Sequence, residues 1–396
     1  MGRAHIAAIL ERSDIDTVAV CDVVKERVDN AIQIIEKAYA DSIKSGDYKS
    51  VNYKGVQGYT DFRDLLRHPG LDAVVIATPD HWHATVCVLA ARAGKHVYCE
   101  KPLTHNIAEG RWLVDEVKKA RITFQTGSQQ RTQFGGHFRI AVEYVWNRRI
   151  GTLKTIRIGV GVPPRPCDLP AQEMPPGTDW DAWLGPAPER PYNEILCPKG
   201  NHTHFPAWRK YQEYAGGDLA DLGAHHFDIA QWAMKMDASG PIEVIPPKDL
   251  QTGKGLRFVY ASGVVMIHNE FDKDRDGKEL TGECVFEGTD GILAVNRQGI
   301  RSFPEAILQE PIGGNDQKVY PANNHHANWL DCIRNGKETI CTAETGHRSA
   351  TICHLGNIGY RLGRKLKWDP AKELFVDDAA ANKELAREPR TKWKVV

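Results

Sequence analysis

The sequence predicts an α/β protein in two parts, a doubly wound parallel sheet followed by an α+β domain on an open, mainly antiparallel sheet. Two observations carry this. Up to about residue 150, short apolar runs rich in β-branched residues alternate with amphipathic stretches, as strands do when helices cover both faces of a sheet. Beyond that point, period-two runs separated by Gly, Asp and Pro clusters take over, which suits antiparallel strands with one face uncovered. The expected parts are 1–149, 150–366 and a charged, weakly helical tail over 367–396.

In chain order, "MGRAHIAAIL" reads as a helix from its first residues. The strand "TVAVCD" precedes the helix "VKERVDNAIQIIEKAYA", and "DAVVIATP" precedes "HATVCVLAARAG". "KHVYCE" precedes "IAEGRWLVDEVKKA", and "ITFQTG" leads to a helical stretch ending near Trp146. The period-two strands are "LKTIRIGV", "GLRFVYASGVVMIHNE" and "GECVFEGTDGILAVNRQG". A Pro- and Trp-rich segment, "PPRPCDLPAQEMPPGTDWDAWLGPAPERPYN", lies after the first of them, and so long a loop is a packing arm or a functional one.

With 396 residues and 41% apolar composition, the chain has enough material for two cores. Its net charge of zero gives no reason to expect nucleic acid or an anionic membrane as partner. The apolar runs are too short to span a bilayer and no signal segment heads the sequence, so a cytoplasmic location is expected. Nine scattered cysteines without a C-x-x-C pair fit a reducing compartment. The pairs "HWH", "HTH" and "HH" bring no third and fourth ligand at a zinc spacing, and no metal is expected.

Chemistry gathers at the carboxyl ends of the parallel strands, where ligands collect in open α/β sheets. Asp22 ends "TVAVCD", placed either to accept from a ribose 2′-hydroxyl, favouring NAD over NADP, or to cap the next helix. Thr78 and Pro79 end the next buried strand, and His83 either joins the cofactor site or starts the following helix. Glu100 and Lys101 follow "KHVYC" directly, and a lysine there can stabilise a developing alkoxide. In "GGDLADLGAHHFDIAQWAM", Asp221 and His225 are four apart and share a face if one helix starts there, so a carboxylate could fix the tautomer of a general base. The bland reading caps the helix with Asp221 and leaves the histidines as satisfied polar residues.

These residues resemble one family, the Gfo/Idh/MocA oxidoreductases, which include glucose–fructose oxidoreductase and inositol dehydrogenase. "EKPL", "DLGAHHFD", "EGTDGI", "HHANWLDCIRNGK" and "GHRSATICHLGNIGYRLGRKL" occur in the family's order. The resemblance implies an NAD-binding Rossmann-like domain, a C-terminal domain whose open sheet makes homodimers or homotetramers, and a catalytic set of Lys101, Asp221 and His225. It places Glu100 on the nicotinamide side and makes the Lys101–Pro102 bond a candidate for cis. It makes Gly2 the last glycine of a dinucleotide loop and Arg3 the residue beside the pyrophosphate. The loop's first glycines and the first strand are then expected upstream of Met1. Gln129 completes the expected cofactor set.

The implied reaction oxidises a ring hydroxyl of a sugar, glycoside or cyclitol, with His225 taking the proton and Lys101 stabilising the alkoxide. Histidine is the better base at neutral pH, since its ordinary pKa is about 6.5 against about 10.4 for lysine. Trp208, Arg209, Tyr214 and His226 are the expected substrate contacts, against a packing role for the aromatics. Two rivals keep NAD: a glycosidase or lyase working by transient oxidation, and a non-catalytic NAD-sensing or interaction protein.

Overall fold

The computed structural model describes residues 1–46, 53–271 and 284–395. The chain opens with helix α1 (Gly2–Leu10), strand β1 (Ala19–Cys21) and the long amphipathic helix α2 (Lys25–Ser45). Gly46 ends α2 in the left-handed region at φ 78°, a conformation that glycine adopts without strain. Then come β2 (Gln57–Tyr59), α3 (Phe62–Leu66), β3 (Ala73–Ile76), α4 (Asp80–Arg92), β4 (His96–Cys99), α5 (Ile107–Ala120), β5 (Phe124–Thr126) and α6 (His137–Trp146). Asn106 starts α5 by accepting a hydrogen bond from the Glu109 amide at 2.9 Å.

All pairings in this part are parallel, as expected, but they form two sheets, β1–β2 and β3–β4–β5. Among the described residues β1 pairs only with β2, and β3 only with β4. Helix α4 is buried along most of its length because strands, α5 and the chain's end cover it. Leu113, Val114, Val97 and Phe124 close this core, each worth ~1.5–3 kcal/mol of transfer free energy.

The second part begins with β6 (Leu153–Ile158) and continues through α7 (Trp180–Leu184), α8 (Gly217–Asp221), α9 (Gly223–Ala233), β7 (Glu243–Ile245), β8 (Arg257–Val259) and β9 (Val265–His268). It goes on with β10 (Cys284–Gly288), β11 (Ile292–Val295), β12 (Ile300–Phe303), α10 (His325–Asn335), α11 (Ala343–Leu362), β13 (Leu366–Asp369), β14 (Leu374–Phe375) and α12 (Ala379–Asn382). Nine strands form one sheet in the order β12-β11-β10-β6-β9-β8-β7-β13-β14, antiparallel except at β6–β9. The residues expected as a weakly helical tail thus supply two strands, and Trp393 packs edge-on against Trp82 at 5.0 Å. Gly282 and Glu283 of the run "GECVFEG" lie outside the described residues.

Helices α6, α9 and α11 pack with this sheet around the larger core, lined by Phe138, Phe227, Phe258, Phe286 and Ile352. The two parts close against each other through α5 and α11. A Cβ on Gly110 would lie 2.2 Å from His347 Nδ1, so the close approach of these helices requires glycine there. Arg111 of α5 reaches Glu344 and Glu373 with four hydrogen bonds of 2.8–2.9 Å. No helix among the described residues is long and apolar enough to cross a membrane.

Candidate active site

Four segments converge at the carboxyl end of β4: the residues after that strand, the start of α4, the turn Ala207–Lys210 and the α8–α9 junction. Strand β4 is buried and reads "HVYC", so Glu100 and Lys101 emerge at the sheet's rim with no choice of direction. The Lys101–Pro102 bond is cis. His83 bridges this turn to the neighbouring one, its two ring nitrogens lying 2.7 Å from the Pro102 carbonyl and 2.9 Å from the Thr78 carbonyl. These contacts tie the two rim turns together.

Lys101 Nζ donates to Asp221 Oδ1 at 2.8 Å and to the Asp221 backbone carbonyl at 2.6 Å. Arg209 Nε lies 3.5 Å from the same Oδ1. Burial works to raise the Asp221 carboxyl, but the charges of Lys101 and Arg209 outweigh it and hold the group below its ordinary range. Asp221 ends α8, while His225 belongs to α9 beyond Leu222. The expected Asp221–His225 pairing is therefore corrected, because Asp221 spends its carboxylate on Lys101 and Arg209.

His225 is buried, with its Nδ1 unpartnered, and burial followed by the charges of Lys101 and Arg297 pushes its pKa well below the ordinary histidine value. It is a neutral imidazole at neutral pH. Helix α9 is held by Asp228, which accepts two 2.8 Å hydrogen bonds from the buried Arg131. Arg131 also grips Asp237 with two more of 2.8 Å, and Ser349 donates to Asp228 at 2.8 Å. Removing one member of the buried Arg131–Asp228 pair costs ~3–5 kcal/mol.

Glu100 accepts from Gln129 Nε2 at 2.6 Å, and Gln129 also reaches the Tyr98 hydroxyl at 3.0 Å. His5 Nε2 is 3.0 Å from Glu100 Oε1, and His5 Nδ1 is 2.8 Å from His326 Nε2. Burial acts to raise Glu100, yet the contact with His5, the charge of Lys101 and the Gln129 bond hold it below its ordinary range. A Cβ on Gly127 would lie 2.7 Å from Glu100 Oε1, so this carboxylate occupies space that only glycine leaves open. A buried carboxylate suits a cationic nicotinamide ring, and the buried Thr78 Oγ1 has no hydrogen-bond partner on the same rim. The residues present fit NAD at these points.

Asp22 accepts from the Val24 amide at 2.9 Å and lies 3.7 Å from Arg27, so it caps the turn into α2 while its carboxylate stays 36% exposed at the end of β1. Pro79 precedes α4 as its cap residue. Gly2 is exposed within α1, and Arg3 donates to the His202 carbonyl. Trp208 and Tyr214 are buried in a satellite core with Trp183 and Tyr211, so neither offers a face to a ligand in this structure. His226 is buried as well, turned toward the Leu222 carbonyl at 2.9 Å and the edge of Phe138.

Three site residues escaped the sequence reading: His5, His326 and Asp80. Asp80 is the first residue of α4, buried, and in the field of Asp221, Arg209 and Lys101. Burial and then the Asp221 charge push its pKa well above the ordinary carboxylate value, against the pull of Arg209 and Lys101. The available signal was its position directly after Thr78 and Pro79 at a strand's carboxyl end.

A parallel-sheet part with its polar residues on one rim, joined to a second part that contributes an Asp and a His to the same rim, defines a nucleotide-binding oxidoreductase. The chain belongs to the Gfo/Idh/MocA oxidoreductase family: residues 1–128 match its NAD-binding Rossmann fold and residues 166–395 its C-terminal alpha/beta domain. NAD is the cofactor of this fold.

Among curated proteins, a myo-inositol 2-dehydrogenase of Thermotoga maritima is 25% identical over 63% of this chain and 57% of its own length. A levoglucosan dehydrogenase of Pseudarthrobacter phenanthrenivorans is 28% identical over 49% of this chain and 42% of its own length. The chain thus matches about half the length of these relatives. Among solved structures, the WlbA dehydrogenase of Bordetella pertussis, determined with NADH and UDP-GlcNAcA, superposes with a TM-score of 0.58 at 18% identity. That superposition covers 93% of this chain and 94% of the other, and it supports the fold.

Proposed function

We propose that this protein is an NAD-dependent dehydrogenase that oxidises a ring hydroxyl of a sugar, glycoside or cyclitol. The observation that carries the reading is the ion pair between Lys101 and Asp221 on the rim that also holds Glu100, with a neutral imidazole, His225, on the adjoining helix. When bound, NAD⁺ supplies the hydride acceptor. The chain's part is to hold the hydroxyl, take its proton and stabilise the oxygen left behind. Lys101, fixed by two acceptors, presents its ammonium to the oxygen as negative charge develops there. His225 accepts the proton of the hydroxyl, and the electron pair left on the oxygen forms the carbonyl bond as hydride leaves the carbon.

The names of the two curated relatives point to cyclitols and anhydrosugars as the substrate class. A second copy of the chain, covering the open sheet, is the proposed partner. The test is NAD reduction, followed by absorbance, against a panel of inositols, aldoses, anhydrosugars and glycosides, with Lys101→Ala and His225→Ala as controls. NADH formation with a member of the panel, lost in both variants, is the expected result. Cleavage of a chromogenic glycoside with no net NADH would overturn it in favour of the transient-oxidation chemistry.

A further inference from the structure

Arg297, in the turn between β11 and β12, has no carboxylate partner among the described residues. Its charge acts on the buried His225 imidazole, where only that of Lys101 is stronger. Lys101 and Arg209 already share a single carboxylate, Asp221, at 2.8 and 3.5 Å. Burial drives the neighbouring Asp80 toward its neutral form, so it does not offset a third cation. The site thus holds an excess of positive charge.

The half-buried Arg297 is held in place from three sides. Asn296 Oδ1 fixes the turn by accepting from the Gln298 and Gly299 amides at 2.9 and 3.0 Å. Arg297 Nε donates to Gln130 Oε1 at 3.0 Å, and Gln130, 1% exposed, donates onward to the His225 carbonyl at 3.2 Å. The guanidinium is therefore tied to the helix that carries the imidazole. Phe134 covers one guanidinium face, with 4.9 Å from its ring centre to the guanidinium carbon. It does so at φ 58°, a left-handed conformation that a bulky residue rarely adopts, followed by Gly135 and Gly136 in the same region.

Stacking uses a face and Gln130 uses Nε, which leaves the edge formed by the two Nη groups. Neither has a partner among the described residues, and neither is sealed from solvent. That edge takes a carboxylate through two parallel hydrogen bonds in the guanidinium plane, so the stacked ring does not obstruct it. An unpaired cation so close to His225 also opposes the proton transfer proposed above, because it disfavours the imidazolium. A carboxylate arriving with the substrate would cancel that opposition.

We propose that Arg297 is a specificity-determining residue that binds the carboxylate of a hexuronate, whose ring hydroxyl is then presented to Lys101 and His225. The inference rests on the dehydrogenase reading and narrows its substrate class to sugar acids. The experiment compares glucuronate with glucose and galacturonate with galactose, with glucose 6-phosphate as a second anion, on NAD-loaded wild type, Arg297→Gln and Arg297→Lys. Steady-state NAD reduction and saturation-transfer NMR of each sugar are the readouts.

Wild type should favour each uronate over its matched aldose by at least about tenfold in kcat/KM, mainly through KM. Arg297→Gln should lower that ratio by about tenfold or more, and Arg297→Lys, which keeps the charge without the fork, by less. If wild type reduces no NAD yet binds uronates in a way that Arg297→Gln loses, the carboxylate site stands while the redox reading fails. Equal handling of uronate and aldose by wild type would overturn the proposal, whether or not the variants fold. So would a ratio unchanged in Arg297→Gln, which would leave Arg297 only the task of holding Gln130 and the helix. Preference for glucose 6-phosphate over glucuronate would overturn the choice of a carboxylate.

Discussion

Lys101 donates to Asp221 twice, once to the side-chain Oδ1 at 2.8 Å and once to the same residue's backbone carbonyl at 2.6 Å. The two acceptors lie 120 residues away in sequence and belong to the second structural part. The pair therefore joins the parts at the point where the chemistry is proposed. It also aims the ammonium without depending wholly on a carboxylate.

A graded response to substitution follows. Lys101→Met removes the positive charge from the developing alkoxide, and kcat should fall by roughly 10²–10⁴-fold. Asp221→Asn keeps the carbonyl acceptor and a neutral oxygen, so its loss should be at least about tenfold smaller. Steady-state kinetics of the two variants, with NADH affinity measured separately, is the check. Equal losses in both would mean that Asp221 itself contacts the reacting hydroxyl.

His225 gives a prediction about pH. Its pKa is pushed well below the ordinary histidine value by burial and by the neighbouring cations, so the neutral base persists in mildly acidic solution. The logarithm of kcat should stay flat as pH falls from 8 through 6.5 and bend only well below that. His225→Gln should lower kcat at every pH by about 10²–10⁴-fold. An acid limb centred near 6.5 in wild type, absent from the variant, would count against this environment.

Much of this was legible in the sequence because it follows from local rules. Buried runs such as "HVYC" end at a rim where ligands bind, which marks Glu100 and Lys101 from the sequence alone. The partners of those residues were not legible, since each lies far along the chain. Asp221 was read with His225 because the spacing fits a single helix, but the chain divides at Leu222 into two helices and the carboxylate turns to Lys101. Trp208 and Tyr214 show the same limit. An aromatic close to the site in sequence can face either the core or the ligand, and only packing with Trp183 and Tyr211 decides it. The division of the parallel strands into two sheets was equally invisible, because strand runs do not state their neighbours.

Asp80 leads to a stability prediction. Its folded-state pKa lies well above the ordinary value, so the native protein keeps a proton that the unfolded chain has already released. The stability tied to that proton is present at low pH and declines as pH rises toward the folded pKa. Asn carries no such charge and has nearly the same shape. Asp80→Asn should therefore match wild type in denaturant titrations near pH 4 and become progressively more stable than wild type as pH rises. A gap between the two proteins that stays constant with pH would show that Asp80 stays ionised throughout.

The Arg111 cluster predicts the opposite pH trend. Glu344 is drawn down to about 2, since its bonds to Arg111 and Arg348 outweigh the burial that would raise it, and Glu373 is drawn lower still. Carboxyls depressed in this way contribute stability that is complete above the unfolded value near 4.5 and is lost as pH falls toward the folded one. Arg111 is 30% exposed and Glu344 21%, so solvent screens part of the pairing, and Arg111→Met should cost ~1–3 kcal/mol at pH 7 rather than the figure for a fully buried pair. Because the arginine joins α5 to α11, the loss should appear as weakened coupling of the two parts, with faster amide exchange along their shared face. Below pH 3, where the carboxylates of wild type take up protons, the difference in urea stability between the proteins should shrink. A difference that persisted undiminished in acid would assign the role of Arg111 to the packing of its aliphatic stem instead of its charge.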